Sequence, residues 1–540
     1  MISNRCRPHG RGRLAGVLAS LAVIPLLVAS LPAQTPATST AWFGQMLPGP
    51  ASDGLAPAFD TVHTDIGAQP AIFGPGPKDP ELAGRRIKDD LRTIVGFSLK
   101  SRANGDFLWG RISGLPPYHE TAAWAVAQLK AAGLKDAHLE DFTTTLTIPV
   151  AGEVRLLGNR DFGAGTEDVT LKSVMVGGTN AGGTATAPLI YVGRATDADL
   201  VGRDVNGKIA VLHSTPNPGL FSTNEVGRPA ALARMGAAAV IEILEQPANM
   251  QSYDGNRHGC SPNLCFTVGG EDGFFLESVL GKAAVAGKTI TARVSATSKE
   301  MTGLQSANGV ATIPGKTDRT VLINAHADAF FTGADDNGGG VAALLALARH
   351  FAKLPQPDRT LVFIVSAGHH SPGNGLAQFH KVHDADLVAR ADLVINLEHV
   401  GVAGMVKSAV ERQANNFGLK PLATTADWPK QVGVSNRAPF LIDLWRQGGM
   451  CFGLNLQRVV DRGNPGEMGA FASAAFPSTQ MISAGPMYHT SGESVDAVPD
   501  ESLERAARFF AFFISEVDRA PQAVLQGGGW TARSNCPATP

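Results

Sequence analysis

The chain has 540 residues, of which 44% are hydrophobic and 17% charged, and 46 Lys+Arg against 48 Asp+Glu give a formal net charge of −2. That length accommodates roughly two to four domains, each large enough to bury a core, so a disulfide-stapled miniprotein is excluded. The apolar content argues against global disorder, and without a basic excess there is no field to grip phosphate backbones, which argues against nucleic acid as a partner.

The first 13 residues carry Arg5, Arg7, Arg11 and Arg13 and no acid, and the apolar run LAGVLASLAVIPLLVAS follows over 14–30. This pattern predicts a secretory signal peptide over 1–33, with small residues Ala29, Ser30 and Ala33 at the cleavage points. The alternative is an uncleaved signal anchor, because the run approaches the ~20 residues that cross a bilayer. Export to the periplasm or the extracellular space is the expectation, with no membrane attachment after signal removal. Loss of four arginines and no acid then takes the net charge from −2 to −6. Of the five cysteines Cys6 departs, leaving Cys260, Cys265, Cys451 and Cys536 in an oxidising compartment. The spacing in RHGCSPNLCF suggests a short loop closed by Cys260 and Cys265, with Cys451 and Cys536 as the second bridge.

Residues 34–80 are rich in Pro, Ala, Gly and Thr without a period of 2 or 3.6, and read as an irregular lead-in. Helical periodicity begins in PELAGRRIKDDLRTIVGFS and returns in HETAAWAVAQLKAAGLKD, where Gly133 is a stop signal. Over 154–310 the character changes to short runs, APLIYVG, GKIAVLHS, AAAVIEIL and KTITARVSA, punctuated by Gly, Asn and Pro, which predicts a β-rich insert. Strands and helices then alternate: TVLINAHAD, GGGVAALLALARHFAKL, TLVFIVSAG, ADLVINLEHVG, FPSTQMISAG and ESLERAARFFAFFISEV. In the first of these helices Val341, Leu344, Leu345, Ala348 and Phe351 share one face. The alternation predicts an α/β domain built from 81–153 and 311–517 around the insert, with 518–540 as a C-terminal tail.

Polar residues stand where these apolar strands run out, the place at which open α/β sheets hold their ligands. His326 and Asp328 follow VLINA; Asp335-Asp336-Asn337 precede a Gly-rich helix start; His369-His370 follow TLVFIVSAG; Glu398-His399 follow DLVINL; Tyr488-His489 follow QMISAGPM. Each position alone suits a turn, a cap or a hydrogen-bonded histidine. Together they offer imidazole nitrogen and carboxylate oxygen from several elements, the donor set that zinc takes.

The segments NAHAD, GADDNGGGVAALLALAR, TLVFIVSAGHH, VINLEHVG and YHTSGES, in this order and spacing, resemble the secreted co-catalytic zinc aminopeptidases. That group includes secreted bacterial leucine aminopeptidases, aminopeptidase Y and, more remotely, glutamate carboxypeptidase II and glutaminyl cyclase. The likeness covers about residues 81–517, including GRISG and the following helix, and the insert resembles a protease-associated domain through APLIYVGRATDADLVGRDVNGKIAVL. It implies a zinc-exopeptidase-like mixed sheet flanked by helices, a peptide substrate and two zinc ions. His326, Asp336 and Glu398 would hold one ion, and Asp336 would bridge to a second held by His370 and His489. Asp328 would orient His326, and Tyr488 would stabilise the oxyanion. Glu467 and Glu493 fall near acidic positions of the family.

The family has two adjacent glutamates, a general base and a metal ligand, where this chain has His369-His370. Imidazole is a good zinc ligand at 370, and at 369 histidine is the commonest general base. One anionic ligand is lost, however, and the shape of the base changes at a centre sensitive to ~1 Å misplacement. A single-metal site, a catalytically impaired peptide-binding protein and a glutaminyl-cyclase-like acyl transferase are therefore the alternatives to an active aminopeptidase.

Overall fold

The structure, a computed structural model, describes residues 78–158, 167–178, 182–217, 222–223, 225–246, 248–254, 263–370, 375–407, 421–460, 464–485 and 487–536. The expected signal segment, most of the lead-in and Cys260 lie outside the described residues. Among the described residues no helix is long and apolar enough to cross a membrane.

The elements used below are, in chain order, α1 (Gly84–Ala103), α2 (Pro116–Ala131), β1 (His138–Leu156), β2 (Gly183–Tyr191), β3 (Ile209–Ser214), β4 (Ala239–Leu244), β5 (Cys265–Val268), α3 (Gly270–Val285), β6 (Thr291–Ile313) and β7 (Thr320–His326). They continue with α4 (Gly339–Phe351), β8 (Thr360–Ser366), α5 (Gly375–His383), β9 (Ala391–Leu397), β10 (Lys430–Val434), α6 (Pro439–Phe452), β11 (Leu456–Val460), β12 (Ser478–Ile482) and α7 (Asp500–Arg519). Every helix and strand run read from the sequence falls on one of them.

One 14-stranded sheet has the order β11-β10-β12-β9-β7-β8-β6-β2-β3-β4-β5 and ends on the short strand Met175–Val176, with β1 paired to β6 as a branch. At its centre β8, β7, β9 and β12 are parallel, while β6 and β10 flank them antiparallel, so the sheet is mixed. The central strands are buried at nearly every position because both faces are covered. Val321, Ile323 and Ala325 of β7 and Leu361, Phe363 and Val365 of β8 face the larger core; Leu322, Val362 and Ile364 face a second core with Leu376, Phe379 and Phe471. Each such side chain contributes roughly 1.5–3 kcal/mol by leaving water.

Helix α4 departs from the one-sided stripe expected of it: all of its residues from Gly339 to Phe351 are buried. The reason is its position against β7 and β9 on one side and α1 and α7 on the other, where even Arg349 finds Asp90 at 2.6 Å. On α7, Phe509, Phe510 and Phe513 surround Trp445 of α6 at centroid distances of 5.0, 5.8 and 5.3 Å. At the edge where β7 begins, the buried Asp392 pairs with Arg359 at 2.7 Å and with Arg319.

The β-rich insert holds its own core, including Val154, Leu189, Ile209, Val211, Ile241, Ile243, Phe266 and Leu276. Its boundaries differ from the expectation of a break near 154 and 310. β1 and β6 run antiparallel from His138↔Val310 to Leu156↔Ala292, so each strand starts in one half and ends in the other. Cys451 and Cys536 are disulfide-bonded, which ties the C-terminal tail to the end of α6. Cys265 is disulfide-bonded as well, and its expected partner lies outside the described residues.

Candidate metal centre

Because β7, β8, β9 and β12 are parallel, their carboxyl ends open on one edge of the sheet, and the expected polar residues converge there. β7 ends on His326 itself; His369 and His370 follow β8 across Ala367 and the left-handed Gly368. Glu398 follows β9 directly, and Tyr488-His489 follow β12. Asp336 comes from the turn before α4, whose Asp336-Asn337 peptide is cis and whose Asn337 side chain donates to Leu397 O at 2.8 Å.

Asp336 is the hub. Its Oδ1 lies 3.1 Å from His326 Nε2, and its Oδ2 lies 3.1 Å from His370 Nε2 and 3.0 Å from His489 Nε2. Glu398 Oε1 stands 3.8 Å from His326 Nε2. His326 Nε2, His370 Nε2 and Asp336 Oδ1 are buried atoms without a hydrogen-bond partner. Native interiors rarely leave such atoms orphaned, and an ion is one of the standard reasons. Of these contacts the His489–Asp336 one is a hydrogen bond; the others are nitrogen and carboxylate donors that approach without aligning as hydrogen bonds, as a divalent cation site requires. The residues present therefore fit zinc.

Asp328 organises the edge from behind. Its carboxylate accepts from the backbone N–H of His369 at 3.1 Å and of His370 at 2.9 Å, and faces His326 Nδ1 at 3.5 Å. Tyr488 stacks on His489 with centroids 3.6 Å apart. Of the sequence-derived positions, His326, Asp328, Asp336, His369, His370, Glu398, Tyr488 and His489 are all brought to this one edge.

Residues 308–443 match the model of peptidase family M28. This stretch resembles an M28 peptidase domain. It contains six of those eight positions, with Tyr488 and His489 beyond it. A vacuolar membrane protease of Lachancea thermotolerans is 37% identical over 114 residues, 20% of this chain and 11% of that protein, so the match spans about a tenth of the relative's length. The crystal structure of a peptidase M28 precursor from Shewanella amazonensis SB2B is 17% identical, covers 81% of this chain and 96% of its own, and has a TM-score of 0.58. BSAP, a zinc aminopeptidase from Bacillus subtilis, is 17% identical, with 82% and 98% coverage and a TM-score of 0.53. Both likenesses establish the fold.

Several residues beyond the expected ligand set frame this edge. Arg111, fully buried, donates to Ala327 O, Thr332 O and Gly333 O, each at 2.9 Å, and so staples the loop that carries Asp328 and Asp336. Asn324, Asn396 and Gln480 sit side by side on β7, β9 and β12. Their amides form a ladder: Asn324 Nδ2 donates to Asn396 Oδ1 at 2.8 Å, and Asn396 Nδ2 donates to Gln480 Oε1 at 3.1 Å. The same amides hold one oxygen each of Glu467, at 3.3 Å, and Glu398, at 3.1 Å. The other oxygen of Glu467, Oε2, lies 2.7 Å from His369 Nδ1. Asp254, from the insert, lies 2.8 Å from His489 Nδ1.

Without a cation the cluster is rich in carboxylates, and its histidines respond. Burial disfavours a charged His326, yet Glu467, Asp328 and Asp336 outweigh it and raise its pKa well above the usual value. Burial, with Glu467 next, pushes Glu398 well up, so its charge too calls for a nearby cation. Burial, assisted by His369 and His489, lowers His370 to about 3, which keeps its imidazole neutral, the form that binds metals.

Proposed function

We propose that the chain is an exported, zinc-dependent exopeptidase that removes N-terminal residues from peptides. The observation that carries this reading is the buried Asp336 carboxylate, set between His326 on one side and His370 and His489 on the other, with unpartnered donor atoms facing it. The shared fold of the zinc aminopeptidase BSAP supports the choice of metal and reaction.

His326, Asp336 and Glu398 would hold one zinc, and Asp336, His370 and His489 a second. Bound zinc supplies Lewis acidity and a nucleophilic water near neutral pH. His369 takes the place of the proton acceptor, with Nδ1 2.7 Å from Glu467 Oε2 and Nε2 on the side of Glu398, 3.6 Å from Oε1. A carboxylate at one ring nitrogen fixes the ring's orientation. Asp328 fixes the peptide that carries this imidazole. Tyr488, held flat on His489, is the group assigned to the developing oxyanion. The insert, in the role of a protease-associated domain, contributes Asp254 to the zinc side at His489.

Purified protein is expected to contain close to two zinc ions per chain and to hydrolyse aminoacyl amides; zinc-free, inactive protein overturns the reading. A second reading, a catalytically silent peptide-binding protein, is favoured by the histidine at 369. The double variant H369E/H370E separates the two, because activity rising from zero supports silence in the natural chain, whereas loss of existing activity supports the histidine-based enzyme.

A further inference from the structure

His399 was not among the expected ligands, yet the chain holds it in place with unusual care. Its backbone is left-handed, with φ 53°, a conformation uncommon for a residue with a side chain and one that concentrates at functional sites. The buried Lys430 donates from Nζ to His399 O at 2.6 Å and locks that peptide. Asp335, also buried, places Oδ2 3.2 Å from His399 Nδ1. The opposite nitrogen, Nε2, then faces Glu398 Oε1 at 3.8 Å and Asp336 Oδ1 at 4.0 Å. Those same two oxygens face His326 Nε2 at 3.8 and 3.1 Å.

We infer that His399 is a metal ligand, so that His326, Asp336, Glu398 and His399 make a four-residue site beside the three-residue site of Asp336, His370 and His489. This rests on the zinc reading above. Donors around a tetrahedral zinc stand about 3.3 Å apart; Asp336 Oδ1 and Glu398 Oε1 lie 3.1–4.0 Å from His326 Nε2 and from His399 Nε2, close to that spacing, and Asp336, Glu398 and His399 bring their donor atoms within 4.8 Å of one another. Two of the four atoms, His326 Nε2 and Asp336 Oδ1, are buried with no hydrogen-bond partner. Asp335 supplies the carboxylate that usually fixes a ligand imidazole from behind. The consequence is an asymmetry: four protein ligands close a zinc site, while three leave a position open for an outside ligand. On that count the three-residue His370–His489 side keeps a position for an exogenous group.

The test is zinc binding by the full chain after chelator stripping, read by competition with a chromophoric chelator and without recourse to turnover. Wild type is expected to take up two zinc ions. His399→Ala should keep one at wild-type affinity and weaken the other by 100-fold or more, whereas His370→Ala should lose the opposite one. Asp335→Asn, which leaves the imidazole in place, should weaken the same zinc as His399→Ala by about 10–100-fold, and covers the case in which His399→Ala does not fold. Two zinc ions bound by His399→Ala with unchanged affinities overturn the inference and leave the zinc reading standing, as does a single wild-type zinc lost only in His370→Ala. Wild type that binds no zinc overturns both.

Discussion

Asp254 belongs to the insert, and yet it reaches a residue of the metal edge: its carboxylate lies 2.8 Å from His489 Nδ1, while Tyr253 N donates to His489 O at 3.1 Å. Asp254→Ala leaves that backbone contact intact and removes the carboxylate. Zinc retention is expected to weaken by about 10–100-fold, measurable by chelator competition, with the unfolding midpoint little changed. Glu467 is the counterpart for His369. Glu467→Gln retains the bond from Asn324 but removes the charge at His369, and kcat is expected to fall by about 100-fold with KM little altered; an equal rise in KM would point instead to a role in substrate binding. The positions that meet at this edge were legible only as a set: each alone suits a turn, a cap or a hydrogen-bonded histidine, whereas five of them at successive element ends offer a metal's donors together. Asp254, Arg111 and the pairing of Glu467 with His369 were not, since their partners are 235, 216 and 98 positions away in the chain. Nothing local in the sequence marks such a meeting.

Elements impose a second kind of constraint, that of close approach. Gly340 begins α4 where a Cβ would stand 2.3 Å from Asn337 Oδ1 and 2.3 Å from Leu397 O, so Gly340→Ala must push α4 away from β9. The expected loss is about 1–3 kcal/mol by urea unfolding, together with weaker zinc binding, because Asp336 and Glu398 sit on the two elements forced apart. At the other end of the sheet Asp392→Ala would strand the buried Arg359, which also donates to the carbonyls of Val517, Asp518 and Ala520. Removing one partner of a buried pair costs about 3–5 kcal/mol, and the unfolding midpoint is the measurement. At this scale the sequence was readable where apolar periodicity governs: the central strands, α1, α2 and α7 stand where their patterns placed them. The amide ladder was not readable. Asn324, Asn396 and Gln480 each look like a single polar interruption of an apolar strand, and only the register of β7, β9 and β12 makes them neighbours.

For the whole molecule, two groups of the insert, away from the metal edge, make stability depend on pH. His213 in the insert is held to about 9 by the carboxylates of Glu245 and Glu277, which overcome its burial. A histidine raised above its ordinary ~6.5 contributes stability that is complete below that pH and is lost as pH rises through the folded value. Glu271, raised to about 7 by burial and by Asp272, adds a penalty in the same direction, because its carboxylate must charge while buried as pH climbs from 4.5. The insert should therefore unfold more readily in alkali, by at most about 3 kcal/mol for His213 between pH 6 and pH 10. Urea midpoints at the two pH values check this, and His213→Gln should flatten the difference. β1 and β6 run from the insert into the sheet that carries the metal edge, and neither strand is interrupted by a linker. In mechanical terms there is no joint between the two halves: a load applied at the insert's outer strands travels along a hydrogen-bonded beam, and the insert cannot be exchanged as a cassette without cutting the sheet that carries the metal edge.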